Sequence, residues 1–459
     1  MAHLMAVILA AGEGKRMKSK KSKVLHKVCG MTLIDWVYNS VKNAGVNETV
    51  VVVGHKAEDV KESMGDKVLY AHQDKQLGTG HAVMQAKEYF SGKEGQVLVL
   101  CGDTPLITSE TVSKTFEIHS RNNNSATIIT AELENPSGYG RIVRDENNNV
   151  MKIVEDRDAT EVEKEIREIN SGMYCFNIKD LESALGELDN NNSQGEYYLT
   201  DTIEILIKKG LKVGAVKVDD SSEILGINDR IQLSKANEIM RKRILSNHMK
   251  NGVTIIDPSN TYIDADVSIG MDTVIYPGSM IEGRTEIGED CIIGPSSRIV
   301  GSKISKGVEV KNSVVMESSV DEGTCIGPFA YLRPGSVIGK KVKIGDFVEV
   351  KKSVIGDGTK ISHLTYVGDA EIGSNVNLGC GVVVVNYDGK KKHKTKIGDN
   401  CFVGCNVNLV SPVEVKDNAY VAAGSTITEE VPENSLAIAR ARQVVKEDWV
   451  IKKGVLRKD

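Results

Sequence analysis

Two glycines and three basic side chains crowd the stretch Leu9-Ala10-Ala11-Gly12-Glu13-Gly14-Lys15-Arg16-Met17 and the Lys23-Val24-Leu25 that follows it. An apolar run of strand type, Ala6 to Leu9, empties into this small-residue turn. Small residues let a phosphate come close to backbone N–H groups, and basic side chains neutralise its charge. A triphosphate needs both. Met17 stands where a dinucleotide-binding turn has its third glycine, and no Ser or Thr follows Lys15 as in a Walker A loop. As a bare pattern the stretch fits either a phosphate-binding turn of another kind or an ordinary strand-to-helix turn.

A second group of chemically able residues lies far downstream. Asn386-Tyr387-Asp388-Gly389-Lys390-Lys391-Lys392-His393-Lys394 gathers lysines around a tyrosine, which suits either a solvated insertion or a loop that binds a phosphorylated ligand. His363, in Ile361-Ser362-His363-Leu364-Thr365-Tyr366, carries an imidazole, the side chain suited to proton transfer near neutral pH. A lone histidine more often has a structural role. His393, among lysines, reads as solvated. Only these two histidines lie beyond residue 250, so a zinc centre with three imidazole ligands is excluded by counting.

The elements that must position the first group alternate in type. Thr49 to Val53, Gln96 to Leu100 and Ala126 to Ala131 read as strands, while Leu33 to Ala44 and Gly80 to Tyr89 read as helices. Such alternation implies crossover units and a mostly parallel sheet. Ligands of these sheets bind beyond the carboxyl ends of the strands, where the Gly12 turn falls. From Asp229, read as an N-cap, a connecting helix follows. Ile231, Met240, Ile244 and Leu245 give it a partial apolar stripe, and Asn251-Gly252 ends it.

Beyond that helix the grammar changes to a six-residue period. Ile263, Ile269, Ile275, Ile281, Ile287, Ile293 and Ile299 fall in strict register. The register resumes at Ile326, Leu332, Ile338, Ile344 and Val350, then shifts by one at Ile355 and runs through Ile361 and Val367. Ile372, Leu378, Val403, Leu409, Val415, Val421 and Ile427 complete the series. Neither a helix nor a flat strand has this period. A β-solenoid does, with one aliphatic pointing inward per short strand and small residues turning the corners. The Asn386 loop interrupts that rhythm.

Bulk properties narrow the partners. A chain of 459 residues exceeds one ordinary core, so two or three domains are expected. A net charge of −5 argues against nucleic acid or an anionic membrane as partner. No apolar run approaches the roughly 20 residues of a spanning helix, and no signal peptide is read. Met1-Ala2-His3-Leu4, ahead of a second methionine, reads as a cloning remnant. The eight cysteines include no Cys-x-x-Cys pair, which points to a reduced, cytoplasmic protein without a disulfide framework.

Leu-Ala-Ala-Gly-x-Gly-x-Arg-Met followed by Lys-Val-Leu resembles the signature of sugar-nucleotide pyrophosphorylases, which join a nucleoside triphosphate to a sugar 1-phosphate. The six-residue repeat resembles the hexapeptide family of left-handed parallel β-helices, many of them trimeric acyltransferases with sites between subunits. With Arg333-Pro334-Gly335, Lys351-Lys352, His363, Tyr366, Asn377 and Asn386-Tyr387-Asp388-Gly389, the whole chain resembles one family of bacterial enzymes. It is the bifunctional N-acetylglucosamine-1-phosphate uridyltransferase and glucosamine-1-phosphate acetyltransferase family.

The resemblance implies an α/β, Rossmann-like uridylyltransferase domain at 1–229, a linker helix at 230–250, and a left-handed β-helix acetyltransferase domain at 251–459. It implies Leu9, Ala10, Ala11 and Gly12 around the uridine nucleotide, with Arg16 and Lys23 catalytic on its phosphates. Gln73, Gly78, Thr79, Cys101 and Gly102 join that nucleotide site, and Gly140, Glu155 and Asn170 bind the sugar. Cys101 stands where the family commonly has an aromatic residue. Asp103 and Asn228 are implied as Mg²⁺ ligands. In the second domain the resemblance makes His363 the general base. Arg333, Lys351, Tyr366, Asn377 and Lys392 take the glucosamine phosphate, and Cys380, Asn386, Tyr387, Cys405, Ala423 and Arg440 contact acetyl-CoA. UTP, N-acetylglucosamine 1-phosphate, glucosamine 1-phosphate and acetyl-CoA are the implied small-molecule partners, acting on a homotrimer.

Two other readings compete. One is a monofunctional sugar-1-phosphate nucleotidyltransferase with a purely architectural solenoid, against which His363 and the Asn386 loop weigh. The other is a trimeric regulatory scaffold with decayed sites, against which Arg16, Lys23, Asp103, Asn228 and His363 weigh.

Overall fold

The computed structural model describes residues 3–192 and 194–455. They form two compact units, Met1–Arg243 and Ile244–Asp459, each with a core of its own.

In the first unit the apolar runs assemble into one mostly parallel sheet. Its order is Val213–Lys217, Ala126–Glu132, Glu168–Asn177, Gly95–Cys101, His3–Ala10, Glu48–Val53, Leu69–His72. His3–Ala10 runs parallel to both its neighbours, and Glu168–Asn177 antiparallel to both of its own. A hairpin of Arg141–Arg144 and Val150–Val154 attaches where Arg141 pairs with Ile169. Val7, Val50, Val52, Val97 and Val99 fill one core, while Ala6, Ile8, Val51, Leu98 and Leu100 fill the other. That is the alternation of strands buried on both faces, which makes their sequence read as continuous apolar runs.

The three expected strands are present, each slightly longer than read. The helix Leu33–Asn43 is present too, with the Thr32 hydroxyl accepting from the Asp35 N–H at 3.2 Å. The single helix expected from Gly80 to Tyr89 is instead a pair, Thr79–Gln85 and Lys87–Phe90. At the break the Ala86 N–H turns to the Val83 carbonyl at 3.0 Å, and both Ala86 and Phe90 become fully buried. His3 and Leu4 open the first strand, and the Leu4 N–H donates to Asn47 Oδ1 at 3.0 Å. Met1 and Ala2 lie outside the described residues.

The helix Arg230–Lys250 begins as read, with Asp229 Oδ1 accepting from the N–H groups of Ile231 (2.9 Å) and Gln232 (2.8 Å). The two compact units divide within it. Its apolar stripe is narrower than expected. Met240 and Leu245 are buried, but Ile231 is 81% exposed, because the capped first turn faces solvent.

The second unit is a parallel β-helix of three sheets holding 11, 10 and 9 short strands. Each coil gives one strand to each sheet, so Ile281 lies against Ile299, Ile299 against Val315 and Val315 against Leu332. Fully burying such a side chain contributes about 1.5–3 kcal/mol, which holds the period. Every isoleucine of the first series is buried except Ile269, which is partly exposed. The gap expected between Ile299 and Ile326 does not exist: Ile304, Val310, Val315 and Val320 continue the inward row after shortened corners.

A second interior row, missed in the sequence, lies two residues before each aliphatic. Thr273, Thr324 and Thr359 are fully buried there, yet satisfied. The Thr324 hydroxyl, for example, donates to the Gly339 carbonyl (2.7 Å) and accepts from the Val342 N–H (3.0 Å). Such hydroxyls bridge coils where a corner interrupts the ladder. Between Val383–Val385 and Thr395–Ile397 the chain leaves the repeat, and the Asn386 loop projects.

Candidate active sites

Leu9 to Gly12 leave the carboxyl end of the central strand and line a cavity of about 280 Å³ with Lys23, Gln73, Gly78, Thr79, Cys101 and Asp103. Lys23 Nζ donates to Asp103 Oδ2 and, at 3.2 Å, to Asn228 Oδ1. Both oxygens therefore converge on one cation position. Asp103 reaches it from the end of Gly95–Cys101, and the Ile227 N–H binds the Asp103 carbonyl at 2.9 Å, which holds Asn228 beside it.

Backbone approach shapes the rest of the cavity. Gly78 has φ +106°, and a Cβ there would meet the Tyr197 carbonyl at 2.5 Å, so only glycine lets the wall close. A Cβ on Gly102 would meet the Leu9 carbonyl at 3.0 Å. Gln73 is buried, and its Nε2 is taken up by the Gly78 carbonyl (3.2 Å) and His81 (3.0 Å), which leaves Oε1 to accept from a ligand. Burial, with Asp103 nearby, pushes the Cys101 thiol up to about 12, so it stays a neutral wall atom. Arg16 does not reach this cavity: it is exposed on the short turn Lys15–Met17.

A second cavity of about 400 Å³ shares Thr79 and Glu196 with the first and is lined by Glu155. Gly140, Glu155 and Asn170 come together beside it. The Asn170 N–H binds the Gly140 carbonyl at 2.8 Å, and Glu155 Oε1 lies 3.6 Å from the position of a Cβ on Gly140. Burial first, then Asp201, Asp158 and Asp156, raises the Glu155 carboxyl above its usual range.

In the solenoid the register places scattered residues in one column. Asp346 pairs with His363, and the same ladder carries on through Leu378, Val403 and Val421, each two residues ahead of Cys380, Cys405 and Ala423. Strands in a ladder lie about 4.8 Å apart, so this corner is a continuous edge. Arg440 packs over Gly424 at its far end. His363 is exposed, and its Nδ1 lies 2.6 Å from Asp346 Oδ1. That hydrogen bond, the largest influence, draws the Asp346 carboxyl below its ordinary range.

The adjoining sheet gathers a cationic group. Lys351 is buried, with Nζ donating to Asp369 Oδ2 at 3.1 Å, and Asn386 Nδ2 donates to the same oxygen at 2.6 Å. Asn386 also meets the Tyr366 hydroxyl at 3.4 Å. Arg333 donates to Glu349 Oε1 at 2.8 Å, and Glu349 pairs in register with Tyr366. Lys392 lies against Lys351, whose ammonium pulls the Lys392 amine below its usual range. Asn377 stands apart from this group, between Lys360 and Phe402 on the neighbouring sheet.

Asp388 shapes the loop that carries Asn386, Tyr387 and Lys392. It accepts from the N–H groups of Lys390 (2.7 Å) and Lys391 (2.6 Å) and pairs with His393 Nε2 at 2.6 Å. His393 is thus a loop fastener rather than a solvated side chain. Asp346, Glu349, Asp369, Gln76 and Glu196 escaped the sequence reading. Separations of 16 to 18 residues between partners such as Arg333–Glu349, Asp346–His363 and Lys351–Asp369 were the signal available.

The family described as Nucleotidyl transferase matches residues 5–225, and Bacterial transferase hexapeptide (six repeats) matches 266–301 and 394–429. The chain is 75% identical over 456 residues to Bifunctional protein GlmU of Acetivibrio thermocellus, covering 99% of both chains. It is 61% identical over 459 residues to the protein of that name from Caldanaerobacter subterraneus subsp. tengcongensis, covering 99% of this chain and 100% of that one. With the Clostridium novyi protein of that name the identity is 58% over 451 residues, covering 98% of this chain and 99% of that one.

Proposed function

We propose, for a chain that belongs to the family of bifunctional GlmU proteins, how two transfer reactions divide among the side chains described above. The enzyme makes UDP-N-acetylglucosamine, a precursor for peptidoglycan, in two steps. Acetyl passes from acetyl-CoA to glucosamine 1-phosphate, and uridylyl then passes from UTP to N-acetylglucosamine 1-phosphate with release of pyrophosphate.

In uridylyl transfer a phosphate oxygen of the sugar attacks the α-phosphorus of UTP, and the bond to pyrophosphate breaks. The nucleophile is already an anion, so no general base is required. The obstacle is repulsion between anions. Lys23 and Arg16 offset it, and the Leu9 to Gly12 backbone cradles the phosphates. Gln73, Gly78, Thr79 and Cys101 receive the base, Gly102 admits close approach, and Gly140, Glu155 and Asn170 hold the sugar. Asp103 and Asn228 fit Mg²⁺, since two hard oxygens already converge on one cation position and leave most coordination sites to phosphates and water. When bound, the ion supplies further neutralisation of the triphosphate.

In acetyl transfer the amine of glucosamine 1-phosphate attacks the thioester carbonyl. The new C–N bond forms, the C–S bond breaks, His363 takes the amine proton, and the CoA sulfur leaves as thiolate to be protonated. Arg333, Lys351, Lys392 and Tyr366 hold the sugar phosphate, with the Lys351–Lys392 pair as its seat, and Asn377, on the sheet that carries His363, takes the sugar of glucosamine 1-phosphate from outside that group. Asn386, Tyr387, Cys380, Cys405, Ala423 and Arg440 receive acetyl-CoA. The stacking of the coils around His363 supports this reading, because Cys380, Cys405 and Ala423 each follow by two residues an aliphatic of the ladder that carries Ile361 and His363.

Mass spectrometry of the products tests the assignment. UDP-N-acetylglucosamine should form from glucosamine 1-phosphate, acetyl-CoA, UTP and Mg²⁺ together, and omitting any one should abolish it. A monofunctional nucleotidyltransferase would yield no acetylated product.

The protein is read as cytoplasmic from its cysteine pattern, and as a homotrimer because an outward-facing column needs another surface to enclose a small substrate. Next to His363, exposed Leu364 continues a strip with Phe329 and Phe347, whose rings stack at 5.4 Å, and a second copy would cover it. Light scattering should report about three chains per particle. A monomer competent in acetylation would sink this reading.

A further inference from the structure

We infer that Asp346 is a positioning residue for acetyl transfer, holding the His363 imidazole by Nδ1 so that Nε2 is left to accept the proton. This rests on the reading of His363 as the base. The argument is geometric. The Asp346 Oδ1 to His363 Nδ1 contact is 2.6 Å, and the two residues are in-register partners on consecutive coils, in strands Lys343–Asp346 and Lys360–His363.

The backbone around the pair is fixed on both coils. A Cβ at Gly345 would collide with the Ser362 carbonyl, so the coils approach as closely as backbone allows just before the two side chains. The Leu364 N–H binds the Asp346 carbonyl at 3.0 Å, and the Thr365 hydroxyl donates to the His363 carbonyl at 2.7 Å. Asp346 therefore meets an imidazole whose main chain cannot drift.

The chemistry follows from the hydrogen bond. A carboxylate accepts only, so Nδ1 must carry the proton and Nε2 becomes the lone-pair nitrogen. Without the carboxylate the ring can rotate and exchange tautomers, and only a fraction of molecules present an acceptor to the amine. Once His363 has taken the proton, the anion beside it also stabilises the imidazolium. Both effects act on turnover, not on substrate binding.

Asp346→Ala should lower kcat for acetyl transfer by about ten- to a hundredfold or more, taking as the lower guide the loss on removing the carboxylate that orients a metal-bound imidazole. KM for either substrate should move little. Asp346→Asn, which keeps an acceptor oxygen but not the charge, should fall between. Nitrogen-15 spectra of the imidazole should show Nδ1–H in the unmodified protein and a tautomer mixture in Asp346→Ala. In a His363→Ala background, adding Asp346→Ala should cost nothing further. Unchanged kcat in Asp346→Ala beside a crippled His363→Ala would overturn the role of Asp346 while leaving His363 as the base. Full turnover in His363→Ala would overturn both, and a further loss in the double variant would show that Asp346 acts elsewhere.

Discussion

Asp103→Asn should lower uridylyl transfer by about a hundred- to a thousandfold, the scale for losing one preorganised charge at a transferring phosphoryl group, while acetyl transfer proceeds at its normal rate. Asparagine is the informative replacement. Lys23 and Asp103 are largely buried, and stripping one member of such a pair outright costs about 3–5 kcal/mol of stability. The amide oxygen of the introduced asparagine would still accept from Lys23, so folding is preserved while one negative charge disappears from the cation position shared with Asn228. The Mg²⁺ concentration needed for half-maximal rate should rise, and direct titration should show weaker binding of the ion in the presence of UTP. Acetyl transfer, followed through release of CoA thiol, reports on a different compact unit. If Asp103→Asn abolished acetylation in a folded protein, or left uridylyl transfer intact at ordinary Mg²⁺, the division between the two sites would fail.

Both architectures were legible because each rests on a period that side-chain burial enforces. Val50, Val52, Val97 and Val99 share one face of the sheet and Val51, Leu98 and Leu100 the other, so their strands had to read as unbroken apolar runs. The solenoid isoleucines were legible for the same reason, as one inward side chain per short strand. Where a corner lost a residue, ahead of Ile304, Val315 and Val320, the arithmetic slipped while the structure did not. The buried Thr273, Thr324 and Thr359 were illegible, since a hydroxyl inside a core makes sense only once the carbonyl it meets on the next coil is known.

Sites follow the same division. Residues on one loop, such as Leu9 to Gly12, announce themselves together. Partners brought together by coil stacking do not, because one short corner changes which residue lies above which. Asp346 below His363, Glu349 beside Arg333 and Asp369 between Lys351 and Asn386 are all of this kind. Each is a carboxylate orienting a residue the sequence did reveal. Arg16 is the converse: its motif marked it, yet it lies on an exposed turn away from the cavity wall, where an incoming triphosphate would have to recruit it.

His363→Ala should lower acetyl transfer by about a hundred- to ten-thousandfold, the usual span for removing a positioned general base. The side chain is exposed at a corner, so its loss leaves no core cavity, and the Ile361 and Val367 rows beneath it stay packed. Binding of glucosamine 1-phosphate and of acetyl-CoA should change little. Arg333, Lys351 and Lys392 do not depend on the imidazole, and Asp388 fastens the Asn386 loop without it. Uridylyl transfer from supplied N-acetylglucosamine 1-phosphate should be untouched, which separates a chemical defect from misfolding. The comparison must be made at saturating substrate, because the substrate amine is itself protonated in acid and a pH profile mixes its titration with that of the enzyme. Near-normal turnover of His363→Ala under those conditions would return His363 to a structural role. The amine would then have to lose its proton to another group on the same edge, and the Asp346 carboxylate, which faces His363 across the coils, is the first to test.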